Sequence, residues 1–108
     1  GITQALVRSA DLLRDDADAL DGFANEFFAQ IDWMNIEVND LERLPKAIRS
    51  RVLRLAIYKA GSPAGSLSAE HIASAEALIS DWHGQKEVAL PGNVKLWRNS
   101  GTISLSSQ

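Results

Sequence analysis

From Ile2 to Ile31, apolar residues recur at Leu6, Ala10, Leu13, Ala17, Leu20, Ala24, Phe27 and Ile31, in alternating steps of four and three. That spacing predicts one long helix with a single seam, about 45 Å at 1.5 Å per residue, long enough to project or to lie across a neighbouring domain. Trp33 to Asn39 then switches to a period of two. Met34, Ile36 and Val38 fall on one side and Asn35 and Glu37 on the other, the pattern of a half-buried strand near residues 33–38. Leu44-Pro45 opens a second helix, with the proline at the first helical position where its missing N–H is not needed, and Gly61 closes it. Ser62 to Ser66 reads as a loop, Ser68 as an N-cap, and Ala69 to His83 as a third helix ended by Gly84.

After Gly84 the period is again two. Val88 and Leu90, a Pro91-Gly92-Asn93 turn, Val94 and Leu96, a Ser100-Gly101 turn, and Ile103 and Leu105 make a short antiparallel meander. Val94, Leu96, Ile103 and Leu105 share its buried face, leaving Lys95, Trp97, Thr102 and Ser104 on the open one. The fold class expected is α+β: a long N-terminal helix plus two further helices packed against a small antiparallel sheet, built from one strand near 33–38 and the C-terminal meander.

The chain has 108 residues, 45% of them hydrophobic, which suits one domain over residues 1–108. No apolar run approaches the roughly 20 residues that cross a bilayer, and no basic start precedes an apolar stretch, so the expectation is a soluble, cytoplasmic protein with no membrane partner. Without cysteine there are no disulfides and no thiolate metal sites. A chain that starts at Gly1 is expected to be a piece of something longer.

Charge changes the picture more than composition does. The net charge is -3, yet residues 1–42 hold ten carboxylates against Arg8 and Arg14, while residues 43–59 hold six basic residues and no acid. A basic helix in an acidic protein suits an anionic partner. It also suits packing against the acidic first third, and the pattern leaves both readings open. On a helical wheel Ile48, Val52, Leu55 and Ala56 cluster on one side, and Arg51, Arg54 and Tyr58 on the other. Arg49 falls inside the apolar arc, where it either buries its stem against a carboxylate or reaches a domain boundary.

Lys95, Trp97 and Arg98 place cations beside an aromatic ring, a combination that stacks bases or covers a sheet edge. Trp33 and Trp82 read as core anchors. His71 and His83 lie too far apart along their helix to share a metal, and His83 suits the helix C-terminus. Asp15, Asp16, Asp18 and Asp21 do not form a calcium loop, because Leu20 and Asp21 stand where a ligand and a glycine are needed. There is no nucleophile elbow and no glycine-rich phosphate loop, so no catalytic residue is assigned.

Taken in order, Leu6-Val7-Arg8-Ser9-Ala10, Leu12-Leu13-Arg14-Asp15-Asp16-Ala17-Asp18-Ala19-Leu20-Asp21, Leu44-Pro45 with Arg49, Leu53-Arg54, Leu90-Pro91-Gly92 and Arg98-Asn99-Ser100-Gly101 carry a resemblance. The chain resembles the part of the bacterial tRNA(Ile)-lysidine synthase family (TilS or MesJ) that follows its nucleotide-binding domain. The resemblance implies an ATP-dependent ligase that joins lysine to the wobble cytidine of an isoleucine tRNA. In that family the chemistry uses ATP and Mg in an N-terminal PP-loop domain with an SGGxDS signature, which this sequence lacks. What remains is similar to the substrate-recognition domain, with tRNA and the PP-loop domain of the same chain as partners.

By that resemblance Arg8, Arg49, Arg54 and Arg98 match recurrent basic positions. Adding Lys46 and Arg51 from the helical wheel and Lys95 from the hairpin, the tRNA-binding set is Lys46, Arg49, Arg51, Arg54, Lys95 and Arg98, with Arg8 at the interdomain seam. No cofactor is expected on this chain itself. The alternative is a structural module whose first helix mediates interdomain packing or a homodimer, without direct RNA contact.

Overall fold

The computed structural model describes residues 2–107, with side chains from Arg14 to Ser107. Helix α1 spans Ile2–Phe28, strand β1 Asn35–Glu37, helix α2 Val38–Glu42, helix α3 Lys46–Ala60 and helix α4 Ala69–Ser80; strands β2 Val88–Leu90, β3 Val94–Asn99 and β4 Thr102–Ser107 follow. The architecture is α+β, with four helices among the described residues where the periodicity predicts three. Its sheet is antiparallel throughout, in the order β1-β4-β3-β2.

Helix α3 is central. Val52, Leu53, Ala56 and Ile57 are fully buried, because α1 lies along one side of the helix while α4 and the sheet close the other. From Ala24 onward the α1 seam faces this core: Ala24 is buried, and Phe27, Phe28 and Ile31 pack against it. Residues Leu6, Ala10 and Leu13 of the expected seam lie outside the described side chains. Helix α1 ends at Phe28 and not at Ile31, the chain turning through Ala29 and Gln30.

The alternating stretch splits in two. Ile36 pairs with Ile103 in the sheet, and Met34 accepts the Leu105 N–H at 3.1 Å, but the strand stops at Glu37. Val38 begins α2 while its N–H donates to the Gly101 carbonyl at 2.9 Å. Val38 and Leu41 are both buried, so a three-residue step replaces a two-residue one and the chain folds down onto the core. Met34, expected on the buried side, is exposed.

Helix boundaries follow local chemistry. Ser68 caps α4 by accepting the His71 N–H (3.2 Å), and His71 Nδ1 accepts the Ser68 N–H (2.9 Å), a reciprocal capping box that leaves the ring proton on Nε2. At the other end α4 stops at Ser80, one turn before the expected His83. His83 Nδ1 lies 3.1 Å from the Asp81 carbonyl, which also accepts from Gln85 Nε2 at 2.9 Å. Pro45 is the N-cap of α3, with its carbonyl accepting from Ile48 and Arg49, so it sits one position before the helix.

At the C-terminus of α3, Gly61 adopts φ +130 and donates to the Tyr58 carbonyl while Ser62 donates to Ile57, a Schellman closure. This loop then receives the β2–β3 turn. Ser62 is buried and its hydroxyl donates to the Pro91 carbonyl at 2.7 Å, while Gly92, at φ +80, approaches so closely that a Cβ would lie 2.9 Å from the Gly61 oxygen. The Pro91-Gly92 pair thus locks the meander to the end of the central helix.

Candidate functional site

Helix α3 carries four of the basic residues singled out in the sequence, and the fold gives them different surroundings. Arg49 points inward. Its Nε lies 2.8 and 3.0 Å from the two carboxylate oxygens of Glu76, its second terminal nitrogen 2.7 Å from Oε1, and its Nη1 3.4 Å from the Leu44 carbonyl. With side-chain exposures of 13% and 8%, this is a buried ion pair that ties α3 to α4 and to the loop before α3. The charge pattern of the sequence does not single out Glu76, although its place in the apolar stripe Ile72, Ala75, Ile79 of α4 is the signal that a carboxylate is buried there.

Arg51 lies against α1. Its Nε contacts Asp21 at 2.8 Å and its Nη1 donates to the Ala47 carbonyl at 2.9 Å, so one of the ten N-terminal carboxylates neutralises part of the basic helix. Arg54, one turn on, is exposed and has no hydrogen-bond or ion-pair partner among the described residues. Arg51, Arg54 and Tyr58 together line a cleft of about 340 Å³ between α3 and α1, closed by Asp21, Ala24 and Asn25. Lys46 is likewise exposed and unpaired among the described residues, at the mouth of a separate groove between α3 and α4.

The hairpin residues also separate. Lys95 and Trp97 project from the sheet face opposite the core, and Lys95 Nζ lies 3.4 Å from Glu87. Arg98, next along β3, turns to the core side. Its guanidinium stacks 4.2 Å from the centre of the Trp82 ring, Nη1 donates to the Leu78 carbonyl near the end of α4 (2.9 Å), and Nε donates to the Ser100 carbonyl (2.6 Å). The aromatic partner of Arg98 is therefore Trp82 and not Trp97. Trp82 itself is 39% exposed, an external lid on Arg98 and no core anchor, whereas Trp33 does pack against the core. The reason is register: Arg98 pairs with the buried Ile103, which places it beyond Val94 and Leu96 on the inner face.

Arg8 lies outside the described side chains. Asp15, Asp16 and Asp18 are exposed, and among the described residues no three His, Asp or Glu side chains come together to hold a metal ion. Nor, among those residues, is any helix long and apolar enough to cross a membrane.

The described residues thus combine a helix α3 rich in basic side chains, a small antiparallel sheet and open clefts on either side of α3. The chain belongs to the TilS family: the family model described as the TilS substrate binding domain matches residues 37–103, from the end of β1 into β4. It is similar to the tRNA(Ile)-lysidine synthase of Thermobifida fusca, 45% identical over 99% of this chain and 34% of that protein. The enzymes of the same name from Streptomyces coelicolor (43% identical, 95% of this chain, 30% of that protein) and Leifsonia xyli (38%, 96% and 32%) are also similar. The chain spans about a third of the length of the curated relatives it matches.

Proposed function

We propose that this chain binds tRNA as the substrate-recognition part of a tRNA(Ile)-lysidine synthase, through the exposed ridge of α3. The observation that carries the reading is Arg54: an exposed guanidinium without a partner among the described residues, at a cleft also lined by Arg51 and Tyr58. Lys46 lies eight residues earlier, about 12 Å along the axis and about 80° around it, and adds a second exposed cation to α3 on the side of α4. Cations of this kind gain affinity by displacing counterions from phosphates, and they read backbone shape, not base sequence.

The other sequence candidates take graded roles in this reading. Arg51 contacts phosphate once Asp21 yields it, and Lys95 contributes from the sheet. Arg49 and Arg98 act by holding α3, α4 and the hairpin in place. Ligation of lysine to the wobble cytidine belongs to a PP-loop domain with the SGGxDS signature. By the family resemblance ATP and Mg serve that domain.

The test is a titration of labelled tRNA(Ile) at low and moderate salt. Binding that weakens with salt is expected, with Arg54→Ala lowering the affinity and flattening the salt slope by about one. Salt-independent binding, or an Arg51→Ala/Arg54→Ala variant that binds like the parent, refutes the reading.

A further inference from the structure

Among the described residues the outer face of the sheet carries one large aromatic ring, Trp97. Along β3 it alternates with the buried Leu96, so it projects away from α3 and α4, together with Lys95. The strand register sets Ser104 opposite Trp97 and Ser106 opposite Lys95, with Asn35 beyond Ser104 on β1 and its amide oxygen accepting the Ser104 hydroxyl at 2.9 Å. Trp97 therefore lies among short hydroxyl and amide side chains that rise less far from the sheet than an indole. On its other flank the segment leading into β2 contributes Gln85, Lys86 and Glu87, and these with Lys95, Trp97 and Ser106 line a concavity of about 570 Å³.

Trp97 is half-buried, so its ring is held by its surroundings while part of its surface remains open, which lowers the entropy lost on stacking. The cations beside it are available: Lys86 is exposed and without a partner among the described residues, and the Lys95–Glu87 pair is 38% and 52% exposed, a class of contact that contributes little in water. An aromatic face, two ammonium groups and nearby hydroxyl and amide groups match the parts of a nucleotide. Bases within a duplex already stack on one another, so such a platform serves one that is unpaired.

We infer that the outer sheet face binds an unpaired nucleotide of an RNA, its base stacked on Trp97 and its phosphate held by Lys95 and Lys86. This rests on the reading of the chain as an RNA-binding module, and it adds a base-stacking site on the sheet to the phosphate ridge of α3.

Binding of fluorescein-labelled oligoadenylate and oligouridylate to the chain, with a duplex RNA of the same length as control, tests it. Trp97→Ala is expected to weaken single-strand binding by roughly 5- to 100-fold while barely changing duplex binding, and Trp97→Phe to retain most of the affinity. Circular dichroism melts of both variants confirm that they fold. Single-strand binding unchanged in Trp97→Ala, but weakened in Arg54→Ala, overturns the stacking site and leaves the α3 ridge standing. Equal losses on single strand and duplex overturn it too, since the ring would then support the backbone contacts and not a base. No binding of any RNA by the parent chain overturns the underlying reading itself. If Trp97→Ala instead abolishes a concentration-dependent dimer seen by light scattering, the face belongs to a second copy.

Discussion

Removing either member of the Arg49–Glu76 pair should destabilise the protein far more than removing any exposed charge. Glu76 is 8% exposed and takes three short contacts from one guanidinium, so truncating Arg49 leaves a carboxylate buried without its counter-ion. Loss of one partner from such a pair costs about 3–5 kcal/mol, against a total stability of about 5–15 kcal/mol for a chain of this size. At about 4 °C per kcal/mol the melting temperature should fall by roughly 12–20 °C. Urea denaturation of Arg49→Met and Glu76→Leu, followed by circular dichroism, measures the loss as a lower midpoint at unchanged slope. The double variant Arg49→Met/Glu76→Leu removes both charges and should recover most of the stability, because an apolar pair of similar volume replaces the ion pair. A loss below about 1 kcal/mol in the single variants, or additive losses in the double, would refute the buried-pair argument. The double variant also separates roles: if it folds like the parent yet binds tRNA as poorly as Arg54→Ala does, Arg49 touches RNA directly.

Three further outcomes follow from the same geometry. Asp21→Asn frees Arg51 and removes a negative charge from the cleft, so tRNA affinity should rise several-fold at low salt, the gain shrinking as salt screens it; an unchanged affinity in the same titration would contradict the proposed ridge. Gly92→Ala should cost about 2 kcal/mol or more in urea denaturation, since it adds a side chain at φ +80 and a Cβ 2.9 Å from the Gly61 oxygen, whereas Gly101→Ala meets nothing within 4 Å and should cost much less. Ser68→Ala removes the acceptor for the His71 N–H and should lower stability by about 1 kcal/mol, with Ser68→Asp retaining most of it.

Much of the architecture is legible along the chain because it is set by neighbours in sequence. The alternation of Val94, Leu96, Ile103 and Leu105 predicts the inner face of the hairpin, and all four are buried as expected. Gly61 and Ser68 mark helix ends through backbone geometry that needs only a few adjacent residues. Where such signals compete with tertiary contacts, the contacts prevail. Val38 continues a strand pattern but starts a helix, because Ile36 and Leu41 share one core, and His83 fits a helix end but lies beyond it, because the chain must turn at Asp81 toward β2.

The charge pattern shows the division most clearly. Composition and spacing alone determine that the protein concentrates its cations on α3 and its carboxylates on α1, and that Arg49 sits in an apolar arc; the ordered motifs were enough to suggest the family. Which cations remain for a partner is decided only when distant segments meet. Glu76, 27 residues away, takes Arg49; Asp21, 30 residues away, takes Arg51; and Leu78 and Trp82 take Arg98, while Arg54 and Lys46 have no partner among the described residues. An ion pair between distant residues has no local periodicity to announce it, because its energy depends on separation and burial in space, and those are properties of the packed core, not of the chain's local order.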